Sequence, residues 1–149
     1  MVVRKIGAKR SRGAVAVETA FVMILFTSVI FGIFEFCRFF MDWNIMNNAA
    51  REGCRYAVVN NTSSTISTDV ATTVNTFMGS EASSFSNLTV TVSGTHNGVS
   101  TAVNNLSAGD MVTVTVSGTY KFMNVIPIYK MPTTLTITTA VTMGCEGGT

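Results

Sequence analysis

Residues 14–58 read AVAVETAFVMILFTSVIFGIFEFCRFFMDWNIMNNAAREGCRYAV. This stretch has no proline and only two glycines, Gly32 and Gly53, which is how one long, mostly apolar helix is written. From Ala14 to Phe34 the only charge is Glu18. At about 1.5 Å rise per residue this piece alone crosses the roughly 30 Å hydrocarbon core of a bilayer. The rest of the chain is read outward from it.

Upstream, residues 1–13 (MVVRKIGAKRSRG) form a basic leader without any core-forming pattern. The net charge of +2 hides an asymmetry, because Arg4, Lys5, Lys9, Arg10 and Arg12 all precede Gly13. Beyond Gly13 five basic residues face eight acidic ones, a balance of −3. A basic cluster beside an apolar span keeps that end in the cytoplasm, so the N-terminus is expected inside and residues beyond about 40 outside. The cluster is thereby a topology signal, and no nucleic-acid partner is expected. A removable secretory signal fits poorly: the apolar run is too long, no A-x-A-like site follows it, and helical sequence continues beyond. What remains is a signal anchor, or a leader cut on its cytoplasmic side.

Past Phe34 the helix turns amphipathic. Glu35/Arg38, Arg38/Asp42 and Glu52/Arg55 are spaced to meet on one helix face. Phe34, Phe36, Phe39, Phe40, Trp43, Ile45 and Met46 read either as an aromatic anchor at the outer interface or as a face packing on sister helices. The polar run Asn44, Asn47, Asn48, Arg51 is poorly suited to lipid.

After Val59 the composition shifts to a turn-rich NNTSSTISTDV. Ile66, Val70, Val74, Phe77 and Met78 recur at helical spacing, with Ser63 or Ser64 as N-cap and Gly79 as stop, predicting a short helix near 65–78. From Asn87 the period becomes two. Leu88, Val90 and Val92; Val112, Val114, Val116, Tyr120 and Phe122; and Leu135, Ile137, Val141 and Met143 each alternate with Thr or Ser. Three half-buried antiparallel strands follow, apolar on one face. That face is expected to take the short helix and the outer half of the long one. Asn97-Gly98 and Ala108-Gly109-Asp110 supply turns, and NVIPIYKMP (124–132) is a proline-broken connection. The predicted architecture is α+β: a leader at 1–13, a transmembrane helix at 14–34 continuing to about 58, and a small extracytoplasmic unit at 62–146.

Candidate chemistry is sparse. His96, the only histidine, sits in a polar THNG turn without a nucleophile setting around it, so it reads as a surface turn residue and the chain as no enzyme. The cysteines lack metal-ligand spacing, and no metal or cofactor is expected. In an oxidising compartment Cys54 and Cys145 would pair across a loop of roughly 90 residues, adding on the order of 4 kcal/mol in the chain-entropy model. Cys37 is left over and reads as a small buried apolar residue.

Glu18 stands out. An unpaired carboxylate in an apolar span costs about 2.5–3.5 kcal/mol on insertion scales. In one reading it lies close enough to the cytoplasmic face to be solvated and neutralised by Arg12. In the other it partners the α-amino group freed if the chain is cut after Gly13, setting the register of helix packing.

The segments RGAVAVETAFVMILF (12–26), GIFEFCRFF (32–40) and NNAAREGCRYAV (47–58) resemble the TadE-like family, minor pseudopilins of the tight-adherence (Flp) pilus within the broad type IV pilin group. The tail, AGDMVTVTVSGTYKF (108–122) and LTITTAVTMGCE (135–146), is similar to the strand region of that family. The resemblance implies cleavage between Gly13 and Ala14 by a prepilin peptidase, with Glu18 fifth in the mature chain. Thr19 departs from the aromatic residue usual after this glutamate. The resemblance further implies a bacterial inner-membrane location and partners among other pilins and pseudopilins, the assembly platform and membrane lipid. A mature length of 136 residues, large for a major subunit, points to a minor one. The rival reading is an uncleaved single-pass anchor displaying a small binding module.

Overall fold

A computed structural model of the chain describes residues 12–122 and 134–145. Residues 1–11 of the leader and the 124–132 connection lie outside the described residues, while Arg12 and Gly13 already belong to the first helix. Helix α1 runs unbroken over Arg12–Val59, and α2 spans Ile66–Met78 followed by a 3₁₀ turn at Gly79–Ser84. Strands β1 (Phe85–His96), β2 (Val99–Thr101), β3 (Met111–Lys121) and β4 (Thr134–Gly144) complete the head.

The four strands form one antiparallel sheet in the order β2-β1-β3-β4. The sequence predicts three strands, and the additional one is β2. It exists because Asn97 and Gly98 both take positive φ (50° and 81°), the geometry of a two-residue hairpin turn whose twist matches its strands. The chain therefore folds straight back, pairing His96 with Val99 and Gly94 with Thr101.

The alternation along β3 lands as expected. Val112, Val114, Val116 and Tyr120 are fully buried, while Thr113, Thr115, Ser117 and Thr119 face outward. Both helices lie on the apolar face: α1 over β3 and β4, α2 over β1 and against α1. Helix α2 buries Ile66, Val70, Val74 and Met78, whereas Phe77, expected on that face, is 50% exposed. Gly79 at φ 55° stops the helix as predicted, since a positive φ breaks the helical repeat at little cost for glycine. The cap differs from expectation. Thr65, rather than Ser63 or Ser64, is the N-cap residue, and its hydroxyl donates to Asp69 Oδ2 (2.7 Å) instead of accepting a backbone N–H.

The head's core takes in the C-terminal half of α1. Met46, Ala49, Ala50, Cys54 and Ala57 are buried against α2 and the sheet, with Phe39 and Trp43 packed beside them. Small side chains on this face let three elements meet closely. Gly53 is the tightest point, because a Cβ there would stand 2.6 Å from Val74 Cγ2.

Candidate functional site

The N-terminal half of α1 has no tertiary cover. The apolar stretch long enough to cross a membrane lies on this helix, and none of that window is buried inside the protein. Val17, Phe21, Ile24, Phe26, Val29 and Phe34 all stay exposed. A contiguous apolar surface of this size marks an interaction or membrane-contact site. Hydroxyls in the stretch are turned back on the helix: Thr19 Oγ1 donates to the Val15 carbonyl (2.9 Å) and Ser28 Oγ to that of Ile24 (2.7 Å). Such bonds satisfy polar groups that lipid cannot. Glu18 projects from this exposed surface in the second turn of the helix, and Gly13 and Ala14 are exposed in its first turn.

Where the rod meets the head, Arg38 joins them. Its Nε donates to the Tyr120 hydroxyl (2.8 Å), and its Nη2 lies 3.3 Å from the Lys121 carbonyl and 3.4 Å from Glu35. The guanidinium also rides over the Tyr120 ring, 5.5 Å from its centre. Tyr120 is fully buried, and burial pushes its hydroxyl pKa up; Arg38 supplies the polar partner that a buried tyrosine needs. Around it Phe39 and Phe122 pack at ring-centre distances of 5.3 Å and 5.1 Å from Tyr120.

Several sequence expectations are corrected at this junction. Of the three charge pairs only Glu35–Arg38 forms among the described residues. Asp42 turns inward to 1% exposure, and its Oδ2 has no hydrogen-bond partner among the described residues. Burial raises its carboxyl pKa, opposed by the Ser84 hydroxyl and the Arg38 charge. The aromatic band splits between two roles: Phe34, Phe36 and Phe40 are exposed, whereas Phe39, Trp43, Ile45 and Met46 belong to the head. Cys37, expected to be buried, is exposed, as are Phe36, Phe40 and Met41 around it.

Cys54 and Cys145 are both buried free thiols in the same cluster. Cys54 Sγ donates to the carbonyls of Val112 (3.4 Å) and Val141 (3.5 Å). Burial raises its thiol pKa, with backbone groups of Val114 and Met143 opposing and nearby Cys145 adding to the rise.

His96 is more than a turn residue. It ends β1, and its Nδ1 stands 2.6 Å from Oδ1 of Asp110, which is nearly buried. The other ring nitrogen faces the Asn97 amide at 3.0 Å, so the pair braces a loop and presents no open general base. Asp110 Oδ2 accepts the Ser107 N–H (2.7 Å), and the Asp110 carbonyl accepts the Cys145 N–H (2.7 Å), pinning the end of β4. The Ser107 amide chiefly, and His96 in addition, hold the Asp110 pKa below its ordinary value. Among the described residues no group of His, Cys, Asp and Glu side chains is placed to hold a metal ion.

Sequence reasoning missed the Arg38–Tyr120 joint. Its signal was present: a lone tyrosine on an otherwise aliphatic strand face needs a donor or acceptor from the element packed on it.

No curated protein and no solved structure matches the chain. Over residues 13–55, the bare rod and its entry into the head, the sequence matches the family model described as TadE-like protein, the family that its N-terminal pattern resembles and one tied to the tight-adherence pilus.

Proposed function

We propose that this chain is a minor pseudopilin of a tight-adherence pilus, a structural or assembly component and not a catalyst. The observation that carries the reading is the coexistence, on one continuous helix, of a fully packed head and an entirely uncovered apolar half. A soluble protein leaves no such rod bare; an assembly subunit stores it in lipid and later packs it against like helices, where dispersion replaces lipid contacts. In this reading a prepilin peptidase cuts between Gly13 and Ala14 on the cytoplasmic side of the inner membrane. The freed α-amino group of Ala14 then neutralises Glu18 of the same or a neighbouring subunit and sets helix register. The head faces outward, where it serves adhesion or secretion through the assembly platform and sister pilins. In that oxidising compartment Cys54 and Cys145 pair, tying α1 to the end of β4.

The N-terminal residue of the protein taken from its own membranes tests this. Ala14 supports the pseudopilin; an intact leader refutes it in favour of an uncleaved anchor displaying a binding module. Glu18→Ala should still be cut but assemble poorly, and normal piliation would remove the charge from the account. Non-reducing peptide mapping that recovers Cys54 as a free thiol would remove the disulfide.

A further inference from the structure

Among the described residues the sheet has two open edges, and their chemistry is unusual for a monomer. Strand β4 is the outermost on one side, pairing with β3 through eleven consecutive residues without a register shift. On the other side β2 covers only Gly94, Thr95 and His96 of β1. Among the described residues no strand pairs with the outer edge of β4, or with that of β1 before Gly94. Monomeric sheet proteins blunt such edges with charges, prolines or inward-turned lysines. Here β4, TLTITTAVTMG, has no charged residue and no proline, and the same holds for FSNLTVTVSG of β1. Among the described residues the blunting devices are the three-residue edge strand β2, which shields only the end of β1, and a bulge between Ser86 and Thr89 at its start.

From these edges we infer that the head extends its sheet from one copy of this chain to the next, β4 of one copy lying parallel to β1 of its neighbour. Direction selects this arrangement. Both β1 and β4 run antiparallel to β3, so they run parallel to each other, and copies set side by side in the same orientation bring the two open edges together. That orientation keeps every α1 pointing into one membrane, so the inference rests on the anchored reading above. Pairing β4 with β4 about a two-fold axis perpendicular to the sheet would send the two N-terminal helices in opposite directions. The contact is heterologous, and between copies related by translation it does not close on itself and can propagate along an array.

Cysteine pairs read the arrangement directly. Thr91, Thr115 and Ala140 share one row across the sheet, so Thr91 and Ala140 of one chain are two strand spacings apart, about 9–10 Å. A disulfide needs Cβ atoms about 4 Å apart, and cross-linking between these positions can arise only between copies. In full-length chains carrying Cys37→Ser, Ala140→Cys is combined with Thr89→Cys, Thr91→Cys or Ser93→Cys and oxidised mildly in the membranes of producing cells. At least one pair should give a reducible ladder of dimers, trimers and larger species that every single variant lacks. Membrane-located chains that yield no ladder with any pair overturn the inference and leave the anchored reading standing. A dimer from Ala140→Cys alone also overturns it, in favour of β4 on β4. A ladder among chains found outside the membrane supports sheet extension and refutes the anchored reading instead.

Discussion

Gly53 offers the sharpest test of how the rod is built into the head. An alanine there places its Cβ 2.6 Å from Val74 Cγ2, 3.3 Å from Val70 Cγ1 and 3.6 Å from Val114 Cγ1. The first distance is about 0.9 Å inside the roughly 3.5 Å at which carbons pack comfortably. Val74 is fully buried and β-branched on a helix, where one rotamer dominates, so relief must come from moving α2 itself. Overpacking of this kind costs about 1–3 kcal/mol. Replacing glycine by alanine within a helix returns about 1 kcal/mol. The balance is a loss of up to about 2 kcal/mol, which at about 4–8 °C per kcal/mol lowers the Tm of a head of this size by up to roughly 8–16 °C. Thermal unfolding of the detergent-solubilised full chain, followed by circular dichroism, measures it. Gly32→Ala is the control, since nothing lies within 4 Å of a Cβ there, and its Tm should not fall. Gly53→Leu should abolish the cooperative transition. If Gly53→Ala instead raises Tm, the crossing of α1, α2 and β3 has spare room and the close-packing argument fails.

Tyr120→Phe removes the acceptor of the Arg38 Nε–H while leaving the ring stack intact, and should cost about 1–2 kcal/mol, read as a Tm loss that Arg38→Lys reproduces in part; no change in either variant would show the joint to be incidental. Asp42 has a carboxyl pKa raised by burial, so its folded form holds the proton more tightly than the unfolded chain, and this contribution is fullest below about pH 4 and lost as pH rises through the folded value. Asp42→Asn should therefore melt higher than the parent at pH 7, with the advantage shrinking toward pH 4; a lower Tm at pH 7 would mean that the ionised carboxylate has a partner. Asp110 has the opposite sign. Its lowered pKa gives stability that is present above about pH 4 and lost as pH falls, so Asp110→Asn should melt lower than the parent at pH 7, and a gap that does not narrow as pH falls below about 4 would refute the assignment.

Much of the architecture is local and was legible. A proline-free run with helical composition forms a helix whatever surrounds it, and the Thr/Val alternation of β3 fixes which face is buried, because a one-residue slip would turn every valine to water. The hairpin that makes β2 was also written in Asn97-Gly98, but three residues are too short for a periodic pattern to register. The bare apolar surface was legible for a similar reason: Ala14–Phe34 is one continuous apolar run whose only charge is Glu18.

What the sequence by itself determined was the apolar rod, its basic start, the lone acid at Glu18, and the one-sided strands. Each depends on composition and on periods of 3.6 or 2 within a single segment. Only the tertiary structure decided where the rod ends and the head begins, because that boundary falls inside an unbroken helix, where local propensity does not change. It decided likewise that Arg38 turns to Tyr120, 82 residues away, that Asp42 is buried and not paired on a wet face, and that His96 braces Asp110. Those outcomes depend on which side of α1 the sheet approaches, a choice made by the fit of Ala49, Gly53, Cys54 and Ala57 against Val74 and Val114, and no spacing within one helix encodes it.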